Sequence, residues 1–431
     1  MLSSLQKLRE RYVNGNPKSA EQFAAAAHYL PGANTRAALH FDPFPLVMRA
    51  ARGSSLTDLD GHTYIDFSND LTAAFYGHSH PLIVQSIHDS LSTGIGYGAP
   101  SIHEARLASA ICTRWPSIER VRFCNSGTEA NLLAVQLARY FTQRQKILAF
   151  IGGYHGSVMN FLPNSHAPNT DLNDVILVHF NDATTVLEAI NHAPREIAAI
   201  IVEPMMGSAG GIRAEIHFLE KLKQYAIDIG ALLIFDEVQT GRLAFGGLQE
   251  RLQIIPDITT LGKFVGGGFA FGAFGGRKDV LECMNPSRNA FIVHGGTFNN
   301  AVLTAAAGFV GLNHIATRQE IERVNELGER LRADLQSNAN DLQVPLHVGG
   351  IGSLLSLHFQ KQPPKNISCI TTPAAWRKVL HLEMLARGFY LPQRGTFSLS
   401  LATTEEECAA LSDTLLEVFE GYRNHLREFA D

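Results

Sequence analysis

A chain of 431 residues, 45% hydrophobic and 18% charged, has the size of one large domain plus a smaller one and the make-up of an ordinary soluble globular protein. Its formal net charge of -5 leaves no basic footprint for nucleic acid, and no stretch approaches the roughly 20 apolar residues that cross a bilayer. Five cysteines (Cys112, Cys124, Cys283, Cys369, Cys408) without CxxC spacing argue against a disulfide framework and a zinc ribbon; with no apolar leader at the N-terminus, reduced thiols in a cytoplasmic protein are expected.

From the N-terminus, Ser19 with Gln22 reads as a capping box opening an Ala-rich helix to about Leu30, stopped by Pro31-Gly32. Residues 56–67 carry Asp60-Gly61 in an alternating pattern and predict a hairpin. Short apolar runs at 121–124, 146–150, 197–202 and 231–235 predict buried parallel strands. Between them, 128–144 repeats Leu133, Leu137 and Phe141, and 218–229 forms a stripe of Leu219, Leu222, Ala226 and Ile229, as amphipathic helices do. Beyond about residue 315 come a charged helix at 318–337, a Gly349-Gly350-Ile-Gly352 turn and a strand at 354–359. Thr404 with Glu407 caps a last helix with Leu411, Leu415, Phe419 and Tyr422 on one face. Strand–helix alternation predicts an α/β fold: a large, mostly parallel sheet domain at 71–315, and a smaller α+β domain made from both ends, 1–70 and 316–431.

Three segments carry chemistry. In Phe123-Cys-Asn-Ser-Gly-Thr-Glu-Ala-Asn131 a strand ends and a helix begins, and a helix start offers free N–H groups and a positive dipole end to a phosphate. Ser126 and Thr128 add hydroxyls and Gly127 allows close approach; read alone, the segment is equally a plain N-cap. Asp236, after the apolar run Ala-Leu-Leu-Ile-Phe, needs a cationic partner to stay charged if buried, such as a protonated pyridine nitrogen, or else caps the next helix. Lys263 precedes Phe264, Val265 and three glycines. Partial desolvation would lower its pKa toward the neutral amine that Schiff-base chemistry requires, and the glycines would let a planar ligand lie against backbone. Read alone it is a surface lysine before a flexible loop. Neither a dinucleotide fingerprint, a Walker lysine nor Gly-x-Ser-x-Gly occurs, and His78 and His80 lack acidic or thiol companions, so no metal site is expected.

In order along the chain, Asn-Ser-Gly-Thr-Glu-Ala-Asn (125–131), Gly-Gly-Tyr-His-Gly (152–156), Val-Glu-Pro-Met (202–205), Phe-Asp-Glu-Val (235–238), Thr-Leu-Gly-Lys (260–263) and Gly-Gly-Thr-Phe-Asn-Asn (295–300) resemble the class III aminotransferases of fold type I, over about residues 30–410. The resemblance implies pyridoxal 5′-phosphate as cofactor. It implies Ser126, Gly127 and Thr128 as the phosphate cup, Tyr154 stacked on the pyridine ring and Val238 on its other face. Asp236 would pair with the pyridine nitrogen, with Glu203 near the cofactor oxygen. Lys263 would hold the cofactor as a Schiff base and move the proton between carbons. Thr297 would complete the phosphate site of a neighbouring subunit, so a homodimer is implied.

Within that family two groups stand near. Leu30-Pro-Gly-Ala-Asn-Thr-Arg36, Pro43-Phe-Pro-Leu46, Phe271-Gly-Ala-Phe-Gly-Gly-Arg277, Thr297-Phe-Asn-Asn300 and Arg394-Gly395 resemble the β-phenylalanine aminotransferases, which makes Arg36 and Arg394 candidate carboxylate binders. The glycine-rich segment after Lys263 resembles the glutamate-1-semialdehyde aminomutases. Gln393 departs from the Pro-Arg-Gly of the first group. Residues 395–400 lack the acid of the second, and Phe269-Ala-Phe271 is bulkier than its counterpart there, favouring a pocket for aryl or alkyl groups. The expected reaction is ping-pong transamination from an amino acid, a β-amino acid by preference, to a 2-oxo acid. The alternative is an isomerase, aminomutase or racemase, on the same cofactor. A non-catalytic cofactor-binding protein is opposed by the intact Lys263 and Asp236.

Overall fold

The structure, a computed structural model, describes residues 2–163 and 174–428. Its centre is a seven-stranded sheet. We number its strands β1 (Arg120–Cys124), β2 (Lys146–Phe150), β3 (Val175–Val178), β4 (Ile197–Val202), β5 (Leu232–Asp236), β6 (Ile258–Gly262) and β7 (Gly272–Gly276), in the spatial order β1-β7-β6-β5-β4-β2-β3. Only β7 runs antiparallel to its neighbours. The expectation of a mostly parallel α/β sheet is met. Strand β4 is Ile-Ala-Ala-Ile-Ile-Val, buried at every position, because helices cover both faces and leave no room for a polar alternation. The helix Gly127–Thr142 buries Ala134 and Leu137 on one side of the sheet, and Ile216–Ile229 buries Leu219, Leu222 and Ala226 against the β2, β4 and β5 side chains Phe150, Ile200 and Phe235.

Direction of travel positions the site. Strands β1, β2, β4, β5 and β6 run the same way, so the residues that follow them emerge at one edge of the sheet. Ser126 follows β1, Tyr154 follows β2, Glu203 follows β4, Asp236 ends β5 and Lys263 follows β6. Ligands of open α/β sheets lie at that carboxyl edge.

The two ends of the chain meet through backbone. Ser55–Asp58 and Thr63–Asp66 form the expected hairpin, and Phe389–Tyr390 adds to it in parallel, with Tyr390 opposite Asp66. Near the C-terminus, His347–Ile351, Leu354–His358 and Thr396–Ser398 make an antiparallel sheet. Gly349 and Gly350 lie inside the first of these strands; the turn comes at Gly352, whose φ is 52°. Thr404 and Glu407 close the expected capping box.

Ser19 differs from expectation. The helix is Pro17–Ala27, and Ser19 is buried in its first turn. Asp60 of the hairpin turn accepts hydrogen bonds from Lys18 N (2.8 Å), Ser19 N (3.0 Å) and Ser19 Oγ (2.9 Å). The orphan N–H groups of the helix start are thus satisfied from a distant turn instead of by a local box. Among the described residues no helix is long and apolar enough to cross a membrane.

Candidate active site

Asp236 is 4% exposed and carries three donors on its carboxylate. Asn131 Nδ2 donates to Oδ2 at 2.7 Å, His155 Nδ1 to the same oxygen at 2.9 Å, and Val238 N to Oδ1 at 3.0 Å. Asn131 sits one turn into the helix Gly127–Thr142, and its amide cannot flip freely, because Oδ1 accepts from Thr260 Oγ1 at 2.7 Å. A buried carboxylate is tolerated only with such a donor set. His155 Nε2 is buried and has no partner among the described residues.

Lys263 follows β6 with φ 52°, a left-handed conformation that a side-chain-bearing residue adopts under constraint. Its amine donates to Leu71 O at 2.8 Å. Burial, reinforced by the charges of Arg394 and Arg36 and opposed by those of Asp236 and Asp70, pushes the Lys263 pKa down to about 8. Two of the three glycines that follow serve the chain rather than a ligand. A Cβ on Gly266 would run into Phe271, and one on Gly267 into Ala307 of the helix Val302–Val310; only Gly268 faces open space.

Ser126 is the N-cap of Gly127–Thr142, accepting from Glu129 N at 3.1 Å, which leaves its hydroxyl hydrogen to donate elsewhere. A Cβ on Gly127 would stand 2.9 Å from Val238 Cγ2, so glycine here lets Val238 press against the helix start. Glu203 accepts from Tyr154 N at 2.9 Å and from Gly207 N at 3.1 Å. Burial, with the Asp236 charge adding to it and His155 opposing, raises the Glu203 carboxyl well above the usual carboxylate range.

One cavity of about 180 Å³ gathers Gly127, Thr128, Asn131, Tyr154, Glu203, Asp236, Val238 and Lys263. A wider cleft beside it is lined by Arg36, Ser126, Lys263, Phe269 and Phe271. Arg36 is half-exposed and ion-paired to Asp70. Arg394 lines a neighbouring cavity together with Leu71, and burial lowers its pKa from the usual arginine value. Thr297 is exposed and lines none of these cavities. His78 donates to or accepts from Asp66 at 2.8 Å, and His80 caps the helix Pro81–Leu91. The groups that sequence reasoning did not single out are Asn131, His155, Asp70 and Leu71. Asn131 and His155 stand inside two of the six motifs, which was the available signal; the carbonyl of Leu71 left none.

The sequence profile described as "Aminotransferase class-III" matches residues 37–419. The chain is 43% identical over 398 residues to a β-phenylalanine transaminase of Variovorax paradoxus, spanning 92% of this chain and 91% of that one. It is 36% identical over 427 residues to a glutamate-1-semialdehyde 2,1-aminomutase of Methanothermobacter thermautotrophicus, spanning 94% and 100%. The crystal structure of a β-phenylalanine aminotransferase from Variovorax paradoxus superimposes with a TM-score of 0.97 at 40% identity, over 100% of this chain and 99% of that one.

The depressed Lys263 pKa has a direct consequence. In the apoprotein, the rate at which an amine-selective reagent labels Lys263, followed by peptide mass spectrometry, rises with a midpoint near pH 8. A midpoint near 10.5, the ordinary lysine value, would contradict the burial and charge argument.

Proposed function

The chain belongs to the class-III aminotransferase family, and from that premise we propose that it moves an amino group from a β-amino acid to a 2-oxo acid in a ping-pong cycle. Its cofactor is pyridoxal 5′-phosphate. The residues present fit that group. A lysine amine with a lowered pKa matches an aldehyde, a buried carboxylate matches a pyridine nitrogen, and a helix start with free N–H groups and two hydroxyls matches a phosphate. When bound, the cofactor supplies an electrophilic carbon and an electron-withdrawing ring.

In this reading Lys263 holds the cofactor, and its amine, once released, takes a proton from the amine-bearing carbon and returns it elsewhere as general base and acid. A pKa near 8 keeps a far larger neutral fraction at working pH than an exposed lysine has. Asp236, whose carboxylate accepts from Asn131, His155 and the Val238 N–H, would pair with the ring nitrogen. Ser126, Gly127 and Thr128 would grip the phosphate, Tyr154 and Val238 would enclose the ring, and Glu203 would stand near the cofactor oxygen. The observation that carries the proposal is the meeting of Lys263, Asp236 and Glu203 in one cavity, with Arg36 and Arg394 close enough to depress the lysine pKa. The two guanidinium groups then take the carboxylates of donor and acceptor. Phe269 and Phe271 give the donor's side chain an apolar wall.

A second reading, intramolecular amino transfer, draws on the aminomutase relative. It differs in needing no 2-oxo acid acceptor.

Assembly as a homodimer accounts for an apolar surface around Thr297. Phe298 is 71% exposed and Val293 79%, and Asn300 Nδ2 donates to Ala99 O, which joins this segment to exposed Ile95 and Ile102. Exposed apolar side chains gathered in one region suit a subunit interface. In the dimer Thr297 reaches the partner's phosphate site.

Three outcomes follow. In a panel of donors with 2-oxoglutarate or pyruvate, β-amino acids turn over fastest; activity confined to α-amino acids, or product formed without acceptor, contradicts the reading. Arg36→Ala and Arg394→Ala each raise KM for carboxylate-bearing substrates by about 10- to 100-fold, the worth of one charge-assisted hydrogen bond, and affect an amine without a carboxylate far less. Sedimentation at micromolar concentration gives a dimer that Phe298→Asp weakens; a monomeric wild type removes the role of Thr297.

A further inference from the structure

Arg394 also lines a much smaller cavity of about 20 Å³. Thr72, Thr396 and Arg394 all line it. Each of the three also carries a buried polar atom without a hydrogen-bond partner among the described residues: Thr72 Oγ1, Thr396 Oγ1 and Arg394 Nε. Unpaired buried polar atoms are rare singly, and three around one void call for an occupant. A water needs roughly 10–15 Å³ of such space and two to four polar partners. The void meets both conditions and is too small for a carboxylate or phosphate. Met205, Leu354, Leu355 and Phe397 give the void apolar walls, and Ser68 and Gln239 also line it.

We propose that this cavity holds one ordered water bonded to Thr72 Oγ1, Thr396 Oγ1 and Arg394 Nε, and that Thr72 and Thr396 are thereby positioning residues for Arg394. The Nε–H donates to the water, and the water's two hydrogens go to the hydroxyl oxygens. This leaves the two terminal nitrogens of the guanidinium, the fork that meets a carboxylate, free and aimed. A long side chain is thereby ordered before substrate arrives, which lowers the entropy lost on binding.

Both threonines stand on backbone that is itself held. Thr396 begins the strand Thr396–Ser398. Thr72 ends a run of four left-handed residues, Asn69, Asp70, Leu71 and Thr72, with φ of 47°, 51°, 51° and 77°. Such a run is strained for residues with side chains and persists only when its surroundings over-determine it. Here Asn69 Nδ2 donates to Ser398 O at 2.6 Å, Asn69 N to Asp66 Oδ1 at 3.0 Å, and Arg242 Nη1 to Thr72 O at 3.4 Å. The same turn presents Leu71 O to Lys263 and Asp70 to Arg36. One strained turn therefore touches Lys263 and Arg36 directly and Arg394 through the water.

The inference rests on the reading of Arg394 as a carboxylate binder, and two arms separate the claims. Crystals of the cofactor-loaded enzyme, at a resolution that shows waters, should contain density bonded to all three atoms; an empty void overturns the proposal whatever Arg394 binds. Thr72→Val and Thr396→Val each remove one partner at nearly constant volume. They should raise KM for carboxylate donors by roughly five- to tenfold, the range of one hydrogen bond, with a much smaller effect on kcat and on an amine without a carboxylate. Thr72→Ser and Thr396→Ser, which keep the hydroxyl, should restore most of the loss. Equal losses toward both kinds of donor, or no rescue by serine, would show a merely structural role and overturn the positioning claim. If Arg394→Lys leaves KM for carboxylates unchanged while the water is present, the reading of Arg394 fails and the water site stands.

Discussion

A single buried carboxylate organises this molecule. Asp236 ends the central strand β5, where a charge out of water would cost several kcal/mol if left unpaired. Its three donors come from a helix, from the loop after β2 and from its own turn, and the helix donor is oriented by Thr260 of β6. The ends of β5 and β6, the loop after β2 and the first turns of one helix are thereby tied to one point. Lys263 emerges one residue beyond β6, three residues after Thr260, so its place follows from the same network. The orphaned Nε2 of His155 lies on the far side of the ring whose Nδ1 serves Asp236.

Around that anion the chain assembles cations it cannot fully neutralise. Lys263, Arg36 and Arg394 act on one another, and Asp70 offsets only part of the charge. Burial, with those cations adding to it, lowers the lysine pKa. Arg36 answers by a half-exposed pair with Asp70, of the sort that is worth little and is readily exchanged for another carboxylate. Strain concentrates in the same region: the left-handed turn 69–72 and Lys263 itself lie within one hydrogen bond of each other.

What was legible in the sequence was local. The runs that became β2 and β4 declare themselves because both faces are buried, and Thr404 with Glu407 because the box closes within one turn. Strand β7 was hidden: Gly-Ala-Phe-Gly-Gly has the composition of a loop, yet a Cβ on Gly272 would run into Ser126 O, so glycine is what lets β7 fit between β1 and β6. Ser19 misled because its true partner, Asp60, lies 41 residues away. The motifs brought Lys263, Asp236, Glu203 and Tyr154 into view, and the structure gathers them at one cavity. Asn131 and His155 stayed unremarked because their contacts with Asp236 span 105 and 81 residues, which no spacing rule reveals. The turn at 69–72 left no trace either, since none of its residues is the glycine that normally announces a positive φ.

The central claim is that one amine, selected by burial and by the cavity it shares with Asp236, carries the cofactor. Borohydride reduction of the loaded enzyme, followed by digestion and peptide mass spectrometry, tests it directly, because reduction fixes the cofactor to whichever amine bears it. The account predicts the label on the peptide containing Lys263 and its loss, with no new site, in Asp236→Ala protein that no longer retains cofactor. A label on any other lysine of the wild-type chain would contradict it.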